Sequence, residues 1–196
     1  MLLTFLPSIS DMMTELSLNV LDIANNSISA NASLIEISIK VDNNADTLSI
    51  TIYDNGCGMT KEQLNKVTDP FYTTRTTREV GLGIPFFRQE AIDTGGSFNI
   101  ASELGEGTTI DAVFGLSHID RMPLGDINST IFTLVIMNPH IDFLYTYEVD
   151  DDKFQLDTRE FKSILGDIPF DNPDVSTFIK SYLAKNKWEV DNHCQV

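Results

Sequence analysis

The stretch Tyr53-Asp54-Asn55-Gly56-Cys57-Gly58-Met59 decides how this chain is read. Ahead of it, Leu48-Ser49-Ile50-Thr51-Ile52-Tyr53 alternates apolar and polar side chains with period two, the pattern of a half-buried strand. Asp54 falls where that strand ends, and Gly56 and Gly58 let the backbone turn and approach a ligand with no Cβ in the way. An acid followed by two closely spaced glycines at a strand end has the form of a nucleotide base pocket. Asp-Asn-Gly also suits a plain hairpin turn, so the assignment depends on what flanks it.

Upstream, residues from about Ser10 to Ala30 read as a helix capped by Ser10 or Asp11, with Leu16, Val20, Ile23 and Ser27 on its apolar side. Glu15, Asn19, Asp22, Asn26 and Ser29 fall within about 80° of one another around that helix. The stripe is rich in Asn and holds no Lys or Arg, unlike an exposed face laced with i,i+4 ion pairs. A carboxylate and an amide one turn apart suit a hydrated Mg²⁺, which takes oxygen ligands and keeps several waters. Leu34 to Val41 then alternates as a strand, pairing with the strand that ends at Asp54 through a turn at Asp42 to Asp46.

Downstream, a short helix from Lys61 stops before Asp69-Pro70. Phe71 to Val80 is rich in hydroxyls and arginines and reads as a mobile loop ahead of Gly81-Leu82-Gly83. A helix from about Leu82 to Asp93 places its N-terminus directly behind those glycines, where free N–H groups and the macrodipole favour an anion. Gly95-Gly96 ends it, and Ser97 to Glu103 with Thr108 to Phe114 form a second hairpin. Farther on, Ile131 to Asn138 and Phe143 to Glu148 are expected to form a third hairpin around Pro139-His140. A short helix from Asp157 to Leu165 and a closing amphipathic helix from Pro173 to Lys185 complete the chain.

With 196 residues, 42% of them hydrophobic, the chain is long enough for one domain with an appendage, or for two very small ones. Thirteen Lys and Arg against twenty-nine Asp and Glu give a net charge of −16, which argues against binding to nucleic acid or to an anionic membrane surface. A bound phosphate would have to be held by local donors and a metal ion. Met1 to Pro7 is apolar but too short to span a membrane and lacks a basic flank, so a cytoplasmic protein is expected. Cys57 and Cys194 are read as free thiols.

Taken in order, helix, strand pair, Asp-x-Gly-x-Gly, lid, Gly-Leu-Gly and Gly-x-Gly-Thr over residues 15–115 resemble the ATP-binding domain of gyrase-type topoisomerases, ninety-kilodalton heat-shock chaperones, histidine kinases and mismatch-repair ATPases, the GHKL superfamily. Pro70-Phe71-Tyr72-Thr73-Thr74 followed by Gly-Leu-Gly-Ile is nearest to the histidine-kinase pattern. The resemblance implies an α+β two-layer sandwich, the Bergerat fold, with ATP and Mg²⁺ as its ligands.

Carried over residue by residue, Asp22 takes the water-activating position and Asn26 the Mg²⁺ ligand. Asp54 accepts from the adenine amino group beside Gly56, Gly58 and Met59, and Thr108 supports Asp54 from the neighbouring strand, commonly through water. Phe71 stands at the base of the lid, whose Thr73, Thr74 and Arg75 supply phosphate-facing donors, and Gly81, Leu82 and Gly83 form the phosphate loop. Glu15 and Asn19 share the spacing of Asp22 and Asn26, and that register ranks second because it leaves seven extra residues before the strand. The family has Glu where this chain has Asp22, one methylene shorter, which bears on catalysis more than on binding.

On this reading residues 1–116 form the ATP-binding domain, 117–127 a connecting loop, and 128–196 a small α+β extension, read as a separate module packed on the first domain and suited to docking a partner, in preference to strands that extend the first sheet. The kinase phosphoacceptor domain is not expected. His118-Ile119-Asp120-Arg121-Met122-Pro123 shares positions with the phosphoacceptor box but lies in a loop between strands, so His118 reads as a loop histidine. Two functions follow: a protein kinase or ATPase subunit acting in trans on a protein partner, or a nucleotide sensor whose lid is ordered by ATP. The partner and the oligomeric state are not legible.

Overall fold

The computed structural model describes residues 14–67 and 83–193. The antiparallel pair β1 (Leu34–Asp42) and β2 (Thr47–Asp54) is the centre of the sheet. On the β2 side follow β4 (Gly107–Gly115) and then β3 (Ser97–Glu103), both antiparallel. On the β1 side β5 (Asp142–Val149) pairs in parallel, and β6 (Asp152–Asp157) closes the edge, giving the order β3-β4-β2-β1-β5-β6. The C-terminal strands thus continue the N-terminal sheet, where a separate module packed on it was expected, because β5 takes the free edge of β1.

Period-two alternation fixes which face is buried. One transverse row runs Ile110, Ile52, Ile37, Tyr145, Leu156, and the next runs Ala112, Ile50, Ile39, Tyr147, Phe154, all of them buried. The opposite face carries Glu36, Ser38, Ser49 and Thr51 and is only half-buried. Helices therefore cover a single face, which is the two-layer α+β sandwich expected.

Over that face lie α1 (Leu16–Ser29), α3 (Gly83–Asp93), α4 (Ile127–Met137) and α6 (Pro173–His193), with α1 packed between α3 and α4. The short helices α2 (Lys61–Val67) and α5 (Thr158–Leu165) sit against β3 and β5. Val20, Ile23, Ala24 and Ser27 turn inward from α1 at helical spacing, and Phe87 of α3 packs on Phe114 with ring centroids 5.2 Å apart.

The strand β6 and the part of α6 beyond Lys185 have no counterpart in the sequence expectation, and two expected elements differ from it. The segment expected as a strand from Ile131 is α4, because Ile127, Ile131, Leu134 and Val135 are buried at i, i+4, i+7, i+8 and Asp126 caps the helix by accepting from the Ser129 N–H. Its β-branched run mimics a strand, and only the 3.6-residue period separates the two. Second, α1 begins at Leu16, since Glu15 is extended, and the expected caps Ser10 and Asp11 lie outside the described residues; the Leu16 and Ser17 N–H groups donate to the carbonyls of Pro123 and Leu124 at 3.0 and 2.9 Å, satisfying donors that a side-chain cap would otherwise meet.

Candidate nucleotide site

Below the end of α1 the buried face opens into a cavity of about 380 Å³, walled by Ile23, Ile52, Met59, Ile84 and Ile110 and reached by Asn26, Asp54 and Thr108. Asp54 continues the inward-facing alternation of Leu48, Ile50 and Ile52, so a carboxylate occupies a core position, 5% exposed. A buried charge needs strong partners. Here the Ser27 hydroxyl donates to Oδ2 at 2.7 Å and the Gly56 N–H donates to Oδ1 at 2.9 Å. Each carboxylate oxygen can accept a second bond, which leaves Asp54 able to receive an amino group from the cavity.

The loop after Asp54 is pinned to the rest of the site. Asn55 Oδ1 accepts from the Ser33 and Leu34 N–H groups, both at 2.9 Å, and the Cys57 N–H donates to the Ala30 carbonyl at 2.9 Å. Gly58 has φ of +63° and a Cβ there would overlap the Glu103 carbonyl, while at Gly107, φ +116°, it would overlap the Asp54 carbonyl. Both glycines are therefore demanded by close backbone packing around the acid. The Met59 N–H donates to Ser102 Oγ at 2.9 Å, and Ser102 in turn donates to the Gly107 carbonyl at 2.8 Å.

Asp22 lies one turn of α1 before Asn26, against Gly83 at the start of α3, where a Cβ would overlap its Oδ2. Burial pushes its carboxyl pKa up, opposed in part by the Gly83 N–H, and Oδ2 is buried with no hydrogen-bond partner among the described residues. Asn26 is exposed on the cavity wall. Glu15, of the second register, faces elsewhere: its Oε2 accepts from Ser17 Oγ at 3.1 Å and from the Asp126 N–H at 3.2 Å. Asn19 is fully buried with both side-chain polar atoms unpartnered.

The structure brings Asn26, Asp54, Gly58, Met59 and Thr108 to one cavity, with Gly56 bonded to Asp54 and Asp22 against Gly83. Phe71, Thr73, Thr74, Arg75, Gly81 and Leu82 lie outside the described residues. Thr108 stands opposite Asp54 in register, but its hydroxyl pairs with Ser102 Oγ at 2.9 Å, and direct support of the acid comes from Ser27. Ser27 and Ser102 are the residues sequence reading missed. Ser27 looked like a small core residue of α1, and its position directly after Asn26 was the available signal; Ser102 is legible only through the strand register that sets it opposite Thr108. His118 is exposed in a turn, as its loop reading implies.

An adenine nucleotide fits the chemistry of this donor set. Apolar walls suit a planar base, and an acceptor-only carboxylate suits an exocyclic amine. Among the described residues no group of three or more His, Cys, Asp or Glu could hold a metal ion alone, so a Mg²⁺ here would keep most of its ligands as water and phosphate oxygen. The Asn26 amide oxygen is the side-chain ligand compatible with that.

Fold and site define a nucleotide-binding α+β sandwich. The chain belongs to the family described as histidine kinase-, DNA gyrase B- and HSP90-like ATPases, whose pattern matches residues 7–118. Relatives include a putative sensor protein of Shewanella frigidimarina, 36% identical over 54% of this chain and 16% of its own length. Sporulation kinase B of Bacillus subtilis is 35% identical over 54% of this chain and 25% of that protein. The chain thus spans about a seventh to a quarter of the length of the curated relatives it matches. Among solved structures, the N-terminal domain of a DNA repair protein superposes with a TM-score of 0.52 at 19% identity, covering 79% of this chain and 58% of the other, a likeness of fold. The family implies ATP as ligand, and among the described residues no helix is long and apolar enough to cross a membrane.

Proposed function

We propose that the chain binds MgATP in this cavity and acts in trans, as a protein kinase or ATPase subunit, on a protein partner in the cytoplasm. The observation that carries this reading is the placement of Asp22: its unpartnered Oδ2 faces Gly83 at the N-terminus of α3, one turn from Asn26 and on the same helix as the Ser27 that fixes Asp54. Asp54 selects adenine, because its oxygens accept from the 6-amino group and would repel the 6-oxygen of guanine. Asn26 would hold Mg²⁺, which when bound neutralises phosphate charge. Asp22 would take the proton of the attacking group, and burial, which raises its pKa, makes its carboxylate a stronger base than a free one. Residues 1–116 would form the catalytic part and 128–196 the docking part, joined through 117–127.

A second reading, nucleotide sensing without turnover, draws support from the short reach of Asp22 relative to Glu. Single-turnover phosphate release with labelled ATP separates the two, comparing wild type, Asp22→Asn and Asp22→Glu. The kinase or ATPase reading expects loss in Asp22→Asn and equal or faster release in Asp22→Glu, with ATP affinity within a few-fold in all three. Equal nonzero rates overturn the base assignment, and no turnover in any of them leaves the sensor. Asn26→Ala should weaken ATP binding with Mg²⁺ and leave binding in EDTA unchanged; equal losses under both conditions would count against the metal role.

A further inference from the structure

Between α5 and α6, on the side of the molecule built by the C-terminal residues, runs an open groove of about 470 Å³. Its floor is an aromatic cluster. Phe161 lies 6.0 Å from Phe178 and 5.6 Å from Tyr182, centroid to centroid, and Phe178 lies 6.2 Å from Tyr182. Ile164 and Phe178 stand on the rim, 83% and 57% exposed. A continuous apolar surface of this kind is costly in water and marks an interaction site. Helical spacing presents it deliberately: Phe161, Ile164 and Leu165 recur at i, i+3, i+4 on α5, and Phe178 and Tyr182 at i, i+4 on α6.

The rim chemistry selects the occupant. Glu160 and Asp174 border the groove, and Asp167 and Asp171 lie in the connection between the two helices, all four exposed. None of the four has an ion pair among the described residues, although Lys162 is close in sequence to Glu160 and Asp167; that lysine pairs with Asp142. An apolar trough between two helices with an uncompensated acidic border complements an amphipathic helix whose apolar stripe is flanked by Lys or Arg. A second copy of this chain is a poor match, since each carries −16 and would bring like charge to the rim.

We propose that the α5–α6 groove docks a basic amphipathic helix of a protein partner. This deepens the trans-acting reading by naming the chemistry of the partner, yet it requires no nucleotide, so failure of either leaves the other standing. The test is binding of two fluorescent synthetic peptides of roughly five helical turns to the full chain. Both have the same leucine stripe; one is flanked by lysines and the other by glutamates.

The lysine peptide should bind, and Phe178→Ser, which removes an exposed side chain without changing charge, should weaken it about tenfold or more. Ile164→Ser, at a more exposed position, should act in the same direction and guards against a folding defect. Glu160→Lys with Asp174→Lys should invert the preference between the two peptides. Equal binding of both peptides to wild type, or unchanged affinity in both serine variants, overturns the proposal. So does sedimentation equilibrium showing a wild-type dimer that Phe178→Ser dissociates, which would make a second copy the occupant.

Discussion

At the β2 end of the sheet the buried face runs into a cavity bordered by a carboxylate, whereas at the β5 and β6 end the same face carries Tyr145, Tyr147 and Phe154 packed under α6. The rows are continuous across both regions: Ile52 and Ile37 lead to Tyr145, while one step along, Asp54 is followed across the sheet by Ile35 and then Phe143. In the C-terminal region large rings fill the space, with Tyr145 and Phe154 edge to face at 5.7 Å. In the N-terminal region Ser27, Gly56 and Gly58 leave it open, and Ser27 and Gly56 donate hydrogen bonds to a single acid. One layer thus supports both a stable core and a binding site, and the difference lies in side-chain volume and polar partners, not in backbone architecture.

Breaking the filled region should give the largest effect. Tyr145→Ala removes a ring that is 1% exposed and should cost about 3–5 kcal/mol of unfolding free energy, the usual range for deleting a buried aromatic. Tyr145→Phe sharpens the point. Among the described residues the Tyr145 hydroxyl is buried without a partner, and burial pushes its pKa well above that of free tyrosine, so removing the oxygen should leave stability unchanged or raised. Urea unfolding of the three proteins checks both outcomes; a loss in Tyr145→Phe comparable to that in Tyr145→Ala would mean that the hydroxyl is satisfied in solution.

Breaking the open region should show in binding more than in stability. Asp54→Ala removes the carboxylate proposed to accept from the base and should weaken ATP binding by about 1.5–3 kcal/mol, tenfold to more than a hundredfold. Its effect on folding should be smaller, because the variant also removes a buried charge. Titration calorimetry giving an unchanged ATP affinity would refute the assignment of the cavity as the base pocket.

The contrast also explains what the sequence could and could not convey. Ile50, Ile52 and Asp54 sit on one face by simple alternation, so the strand, its end and the placement of the acid were legible, as were Gly58 and Gly107, where backbone passes within van der Waals distance of backbone. Ser27 was not, because a helix position says which way a small side chain points and nothing of the strand it meets twenty-seven residues later. The same limit hid the role of Ser102, which depends on register across a hairpin. In α4 the failure was of another kind: a run of Ile, Thr, Val and Phe has strand propensity, and burial on one helical face overrode it.

The smallest effect, and the one that ties site to stability, concerns Asp22. Burial raises its folded-state pKa above the value of about 3.8 that holds in the unfolded chain, so the folded protein is the weaker acid at this site. Below the unfolded pKa the carboxyl is protonated in both states and contributes nothing. As pH rises through the interval up to the raised folded pKa, the unfolded chain ionises first, and stability falls and stays lower at neutral pH. Asp22→Asn mimics the protonated acid and keeps an oxygen for the Gly83 N–H, so it should raise the melting temperature of the nucleotide-free protein at pH 7 by a small amount. That gain should shrink as pH drops toward 4. Melting curves of both proteins across this range test the sign: a variant less stable at neutral pH, or a gain independent of pH, would show that the Asp22 carboxylate is stabilised in the fold. A stabilising loss of a charge in the site and a destabilising loss of a ring outside it are what the two ends of the sheet lead one to expect.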